Sequence, residues 1–414
     1  MNKYLLGALI SIGTIVGASG AANAQAKHAP APGTIAVHLN GLVDWQTNVI
    51  GSSANDYNGY KLNSLGMGGY FRLYAGFDAT TKGGLQYGAD SELRLTYTPS
   101  AVGEPESAPN AESMNLRRAW IYIGTPQVGF VRVGQTNSPW LLLTTGEYYN
   151  WGDHNGWNSD GGIAAAVPSA THPSALFNAS GVLYTTNKIV YISPNFAGFQ
   201  AGISYEPNSN SFKNGEQCTV AAAGCNTVES GPVGVVSTGM RRNTVVGVVK
   251  YANKFGGFGV DVDAGYLTAT PALSGGAGLR DLSVGSIGGQ ITFGGFLLGG
   301  NIKFGQVNNG YTFLRPGQRD LLFYNLTGEY SMGPARFAVN FFNNQGAGSV
   351  DRTQSNYGIG VGANYDLAKG VDLYAMYLYG HRHEAGYDFL AGGPGVAHNS
   401  VDANAFTVGT VVTW

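Results

Sequence analysis

Between Leu85 and Tyr97 the chain alternates strictly enough to define its conformation. Leu85, Tyr87, Ala89, Leu93, Leu95 and Tyr97 fall on one side of an extended strand, and Gln86, Asp90, Glu92, Arg94 and Thr96 on the other. Successive side chains of a β-strand point to opposite faces, so a period of two means one apolar and one polar face. The stripe recurs in Ile35, Val37, Leu39, Val43 and Trp45 against His38, Asn40 and Asp44, and in Tyr357, Ile359, Val361 and Tyr365 against Asn356, Asn364 and Asp366. Phe337, Val339 and Phe341 against Arg336 and Asn340 repeat it. Beyond the N-terminus, no stretch approaches the ~18 uncharged apolar residues of a membrane helix. If this chain crosses a membrane, strands carry it across.

The pattern predicts about sixteen strands, near residues 34–46, 65–79, 85–98, 112–124, 127–135, 183–193, 196–206, 242–252, 257–268, 281–293, 295–307, 319–331, 335–345, 354–367, 370–382 and 402–414. Tight connections such as Thr125-Pro126, Pro194-Asn195, Gly294 and Ala368-Lys369 alternate with long ones along the chain. Short turns on one side of a membrane and long loops on the other characterise an up-and-down transmembrane barrel; a Greek-key sandwich gives no reason for the asymmetry. The expected fold is therefore all-β, an antiparallel transmembrane barrel. About sixteen strands enclose an aqueous channel where eight would not. The inward residues quoted above can wet a pore wall and are not expected to pack a core.

Composition suits one oily and one wet face. Glycine, 64 of 414 residues, is roughly twice as frequent as its usual ~7 per cent, and 12% of residues are charged against a usual ~25 per cent. Mean hydropathy is -0.05. The formal charge of -2 leaves no basic footprint for nucleic acid.

Both ends agree with an envelope destination. Lys3, the apolar run Leu5 to Val16 and Ala22-Asn23-Ala24 read as a signal peptide over residues 1–24, leaving a barrel over 25–414. At the other end Phe406, Val408, Val412 and Trp414 share one face of a terminal strand, with Thr407, Gly409, Val411 and Thr413 on the other. Such a strand can close a sheet so that no edge remains in lipid.

Cys218 and Cys225 stand in one long loop and are expected to pair in an oxidising compartment, two free thiols being the alternative. His381 and His383 share a strand face and read as rim residues; no metal site or cofactor is expected. Gly358-Ile-Gly-Val-Gly362 lies within a strand with no following helix, which argues against a phosphate loop. The chain carries no Gly-x-Ser-x-Gly elbow, so an enzyme is not the expected reading.

The hairpin Asn115-Leu-Arg-Arg-Ala-Trp-Ile-Tyr-Ile-Gly124 and Gly129-Phe-Val-Arg-Val-Gly-Gln135 is similar to the fourth and fifth strands of the general bacterial porins, and the terminal aromatic strand resembles their assembly signal, although that family usually ends in Phe rather than Trp. The resemblance implies a homotrimer in the outer membrane of a Gram-negative bacterium, surrounded by lipid and lipopolysaccharide and passing small hydrophilic solutes. It also implies that the third long loop, about residues 136–182, folds into the barrel, with acids on it opposing bases on the wall. The candidates are Glu147, Asp153 and Asp160 on the loop and Arg72, Arg94, Arg117 and Arg132 on the wall. If Arg117 faces the pore, strict alternation turns Arg118 outward. Trp140, Tyr148, Tyr149, Trp151 and Trp157 either form the loop's own core or a slide for sugars, and a carbohydrate-specific channel is the alternative function.

Overall fold

The computed structural model describes residues 29–95, 114–147, 151–152, 156–158, 162–180, 183, 186–209, 240–271, 278–348 and 352–414. The signal segment, Tyr148, Tyr149, Asp153, Asp160, Cys218 and Cys225 lie outside them.

Sixteen antiparallel strands join edge to edge in one closed barrel. They are β1 (Thr34–Ser52), β2 (Gly66–Thr80), β3 (Gln86–Leu95), β4 (Met114–Thr125), β5 (Gly129–Gln135), β6 (Asn187–Ile192), β7 (Phe199–Asn208), β8 (Arg241–Phe255), β9 (Phe258–Pro271), β10 (Leu282–Phe293), β11 (Phe296–Gln306), β12 (Leu321–Met332), β13 (Ala335–Ala347), β14 (Thr353–Ala368), β15 (Val371–Glu384) and a closing strand, Ser400–Thr413. A two-stranded hairpin, Tyr387–Asp388 with Gly393–Pro394, stands apart from the barrel sheet. Closure falls on β1, which pairs with β2 along one edge and, from Leu42↔Thr413 to Ser52↔Ala403, with the closing strand along the other. Main-chain bonds between Gly41 and Trp414, 3.2 and 3.3 Å, finish the seam. The β10–β11 turn needs two left-handed residues, and Gly294 (φ 51°) with Gly295 (φ 86°) supplies them without a Cβ penalty.

The outward face is apolar and bare. Ile121 is 61% exposed, Leu326 58% and Trp45 55%, an arrangement that suits hydrocarbon and would be costly in water. Level with the tight turns, Phe258, Phe293, Phe296 and Tyr330 stack at 5.6, 5.5 and 4.4 Å, part of an aromatic girdle where barrel and membrane interface meet.

The interior departs from the sequence expectation in three respects. First, the inner wall is not uniformly polar: Val246, Val248, Leu267, Leu282, Val284, Phe323, Phe342, Met376 and Leu378 form one buried cluster with Trp140, Trp151, Trp157, Ile163, Leu176 and Phe177 of the third loop. The loop lies inside the barrel and needs an apolar wall to dock against, because its own indoles could not otherwise leave water. Its three tryptophans described here are therefore loop core, 0–4% exposed. Second, the β11–β12 connection also turns inward, burying Tyr311, Phe313 and Leu314, with Trp140 Nε1 donating to Tyr311 Oη at 2.7 Å.

Third, Arg118 does not face outward. The β3–β4 register runs Glu92↔Arg118 and then Leu93↔Leu116, so Arg117 is the extra residue of a β-bulge. A bulge places two consecutive residues opposite one and breaks the alternation. Arg117 and Arg118 consequently converge on the same inward carboxylate.

Candidate functional site

Arg72 on β2 and Arg94 on β3 are direct cross-strand partners, and Arg94 in turn faces Asn115 on β4. Beside them stands the carboxylate of Glu92, whose side chain is fully buried, and the buried Asp44 of β1 lies within electrostatic reach of Arg72. Arg117 Nη1 donates to both Glu92 oxygens at 3.0 Å, and Arg94 and Arg118 donate to the same group. Arg118 also reaches Asn137 Oδ1 at the start of the third loop, 2.8 Å away. Three guanidinium groups on one buried carboxylate are held rigidly, since charge-assisted bonds of this kind fix geometry as well as charge. Arg72 lies over the Tyr70 ring, 4.5 Å from its centroid.

A cavity of about 670 Å³, the wet passage proposed below, lies along this wall. Gln46, Asn48, Arg72, Arg94, Asn115 and Arg117 line the sheet side, Gly162, Ala165 and Ala166 the third-loop side, and Lys61, paired with Asp56 at 2.8 Å, reaches in from the β1–β2 connection. Ala165 and Ala166 belong to a one-turn helix, Ile163–Ala166, which buries Ile163 and Ala164 in the loop core and leaves the two alanines exposed. Among the described residues, the charged side chains lining this space are basic. The loop fills the β6–β15 side of the lumen with apolar packing, which leaves the wet space beside β1–β4.

The other residues singled out from sequence are placed differently. Arg132 is 2% exposed, bonded to Thr136 Oγ1 at 3.2 Å and lying 5.1 Å from the Trp120 ring centroid, so it braces the loop's departure from β5. Glu147 does not oppose the arginines. Its side chain is buried against Lys303 of β11 and accepts the Asn178 backbone N–H, while the neighbouring Thr145 N–H donates to Asp263 Oδ1 at 2.7 Å. This pair fastens the loop tip to the far wall. Among the described residues, then, Arg72, Arg94 and Arg117 come together and Glu147 stands apart, while Asp153 and Asp160 lie outside the description. Glu92, Arg118 and Lys303 are the residues that alternation alone did not single out. His381 meets Asp402 at 2.8 Å and His383 meets Ser400 at 2.8 Å, both near the loop end of their strands.

A closed sixteen-stranded barrel with an apolar belt, an aromatic girdle and a wet inner passage defines an outer-membrane channel. The family model for Gram-negative porins matches residues 8–384, and the chain belongs to that family. Among solved structures, the anion-selective porin from Comamonas acidovorans aligns with TM-score 0.56 at 19% identity, covering 92% of this chain and 100% of that one. OmpT of Vibrio cholerae lacking loop L8 aligns with TM-score 0.55 at 13% identity over 92% and 99% of the two chains. A triple mutant of the Rhodopseudomonas blastica porin aligns with TM-score 0.53 at 16% identity over 92% and 100%. Comparison with curated proteins gave no match. The chain is thus a multi-pass outer-membrane β-barrel of a channel-forming family.

Proposed function

We propose that this channel passes small hydrophilic solutes passively and prefers anions, without a catalytic step. The observation that carries the reading is the wall of this space, where among the described residues Arg72, Arg94 and Arg117 converge and outnumber the one buried Glu92 carboxylate that Arg94 and Arg117 share. Arginine keeps its charge at any working pH. In a narrow wet gap bounded by low-dielectric protein, fixed cations raise the local concentration of anions and oppose cations. The similarity to an anion-selective porin supports the same direction. Arg72, Arg94 and Arg117 are assigned to the constriction; Arg132 and Glu147 act by holding the loop, and Asp153 and Asp160 remain proposed constriction acids. The burial of Trp140, Trp151 and Trp157 favours this over a carbohydrate-specific channel, because indoles committed to the loop core present no stacking face to a sugar.

A trimer, if the chain assembles as its family does, is proposed to meet through the outer face of β2–β4. There Ala75, Ser91 and Ala119 form one cross-strand row of small residues between larger ones such as Leu73, Phe77 and Leu93, and the Ser91 hydroxyl donates back to Ala75 O at 2.9 Å. Small residues let two sheets approach closely, while the aromatic girdle on β9–β12 is proposed to mark a sector kept for lipid. Residues 1–24 are proposed to be removed, so that the mature chain starts at Gln25.

Reversal potential under a salt gradient tests the anion preference: a potential of the sign set by chloride is expected, and one set by potassium rejects it.

A further inference from the structure

We propose that Gly358, Gly360 and Gly362 of β14, with Gly380 of β15, set the aperture of the pore by fixing how deeply the third loop sits in the wall. Their intervening neighbours Ile359 and Val361 point to lipid, 37% and 49% exposed, so the inner face here is bare backbone. Gly358 and Gly380 are direct cross-strand partners, which makes the bare area continuous across two strands. Glycine in a strand interior weakens the strand and often marks the close approach of another group. Here the approaching groups are visible.

Trp151 lies over Gly360 and Gly362, and Trp157 over Gly358 and Gly380. A Cβ built on Gly362 would stand 2.5 Å from Trp151 Cε3, and one on Gly360 2.7 Å from Trp151 Cη2. On Gly358 it would stand 2.7 Å from Trp157 Cδ1, and on Gly380 2.8 Å from Trp157 Cζ2. Trp157 Nε1 donates to the main-chain carbonyls of Tyr379 at 3.0 Å and Ile359 at 3.3 Å, which it reaches only because no side chain intervenes. Beside it, Gly152 N–H donates to Asn364 Oδ1 at 2.7 Å.

From this slot the loop crosses the lumen to Ala165 and Ala166, which line the passage on the side away from the arginines. The loop body is close-packed and transmits displacement instead of absorbing it. Carbon atoms rest about 3.5–4.0 Å apart, so a methyl group on the slot floor lifts the indole by about 1 Å and carries the loop toward the arginine wall. Slot depth and pore width are then one variable.

The inference rests on the channel reading above and is tested by single-channel recording of the full-length protein in planar bilayers. The Gly360→Ala/Gly362→Ala variant is expected to conduct less than wild type while keeping the sign of its reversal potential. Adding Trp151→Phe trims the benzo edge that carries Cε3 and Cη2 and is expected to return conductance toward wild type. Conductance of the double variant equal to or above wild type, or no recovery with Trp151→Phe, overturns the proposal. Trp157→Phe gives a second reading independent of the alanines: it removes the bonds to Ile359 and Tyr379 and is expected to raise open-channel noise, and unchanged noise counts against the slot. A wild-type protein that conducts nothing defeats the channel reading itself, whereas a conducting wild type indifferent to all these variants defeats the slot alone.

Discussion

Replacing Arg72 by Gln removes one fixed positive charge from the passage and leaves the Glu92 cluster of Arg94, Arg117 and Arg118 intact. An ion passing roughly 8 Å from that charge in water feels about 0.5 kcal/mol, more where the protein lowers the local dielectric. The term has opposite sign for chloride and potassium, so their difference changes by about 1 kcal/mol, or roughly fivefold in permeability ratio when unscreened. At about 0.1 M salt the Debye length is about 10 Å, which roughly halves the interaction and brings the change to about twofold. Reversal potentials under a KCl gradient should therefore show the chloride preference of Arg72→Gln falling by about two- to fivefold at low salt and nearly vanishing as a difference at 1 M. Arg336→Gln, away from this passage on β13 and paired with Asp366 at 3.4 Å, is the control and should leave the ratio unchanged. An Arg72→Gln channel with wild-type selectivity at low salt, or a shift of the same size in the control, refutes the electrostatic argument.

Lys303→Met strands the Glu147 carboxylate in a buried site, which costs about 3–5 kcal/mol for a broken buried pair. Its loop should undock, seen as larger and noisier conductance, and Glu147→Gln in the same chain should restore quiet steps. Burial, with Arg382 nearby, pushes His172 down to about 4, while a free loop keeps the ordinary value near 6.5. The undocked loop therefore binds the extra proton between those values, so docking holds fully above pH 6.5 and weakens as pH falls toward 4; noise should rise over that window and stay flat in His172→Phe. A Cβ on Gly41 would collide with the six-membered ring of Trp414, so Gly41→Val should displace the closing indole and lower the temperature at which the barrel unfolds in detergent gels. Cys218 and Cys225, proposed to pair, should take up no alkylating label in denatured, unreduced protein and two labels after reduction.

The strands were legible because lipid outside and water inside impose opposite demands on alternate residues, and nothing in a single barrel layer averages that signal away. Legibility failed where a third party entered the lumen. Val245 to Val249 are apolar on both faces except at Gly247, the mark of a strand covered on two sides, and the inner positions Val246 and Val248 are indeed covered by the loop. The bulge at Arg117 also left a trace: outward apolar residues sit at the even position Leu116 and then at the odd positions Ile121 and Ile123, a change of parity that only an inserted residue can produce. The glycines of β14 lie inside a strand as their surroundings implied, but the groups they receive, Trp151 and Trp157, stand about 200 residues earlier in the chain, and no local pattern connects the two. Glu147 failed for the same reason, since its partner Lys303 is fixed by the barrel's curvature and not by spacing.

Purified wild-type protein recorded in a planar bilayer under a salt gradient bears most directly on the whole account. Ohmic steps with a reversal potential on the chloride side are the predicted result, since the passage beside β1–β4 is wet and lined by fixed cations. A silent membrane, or steps reversing on the potassium side, would contradict it.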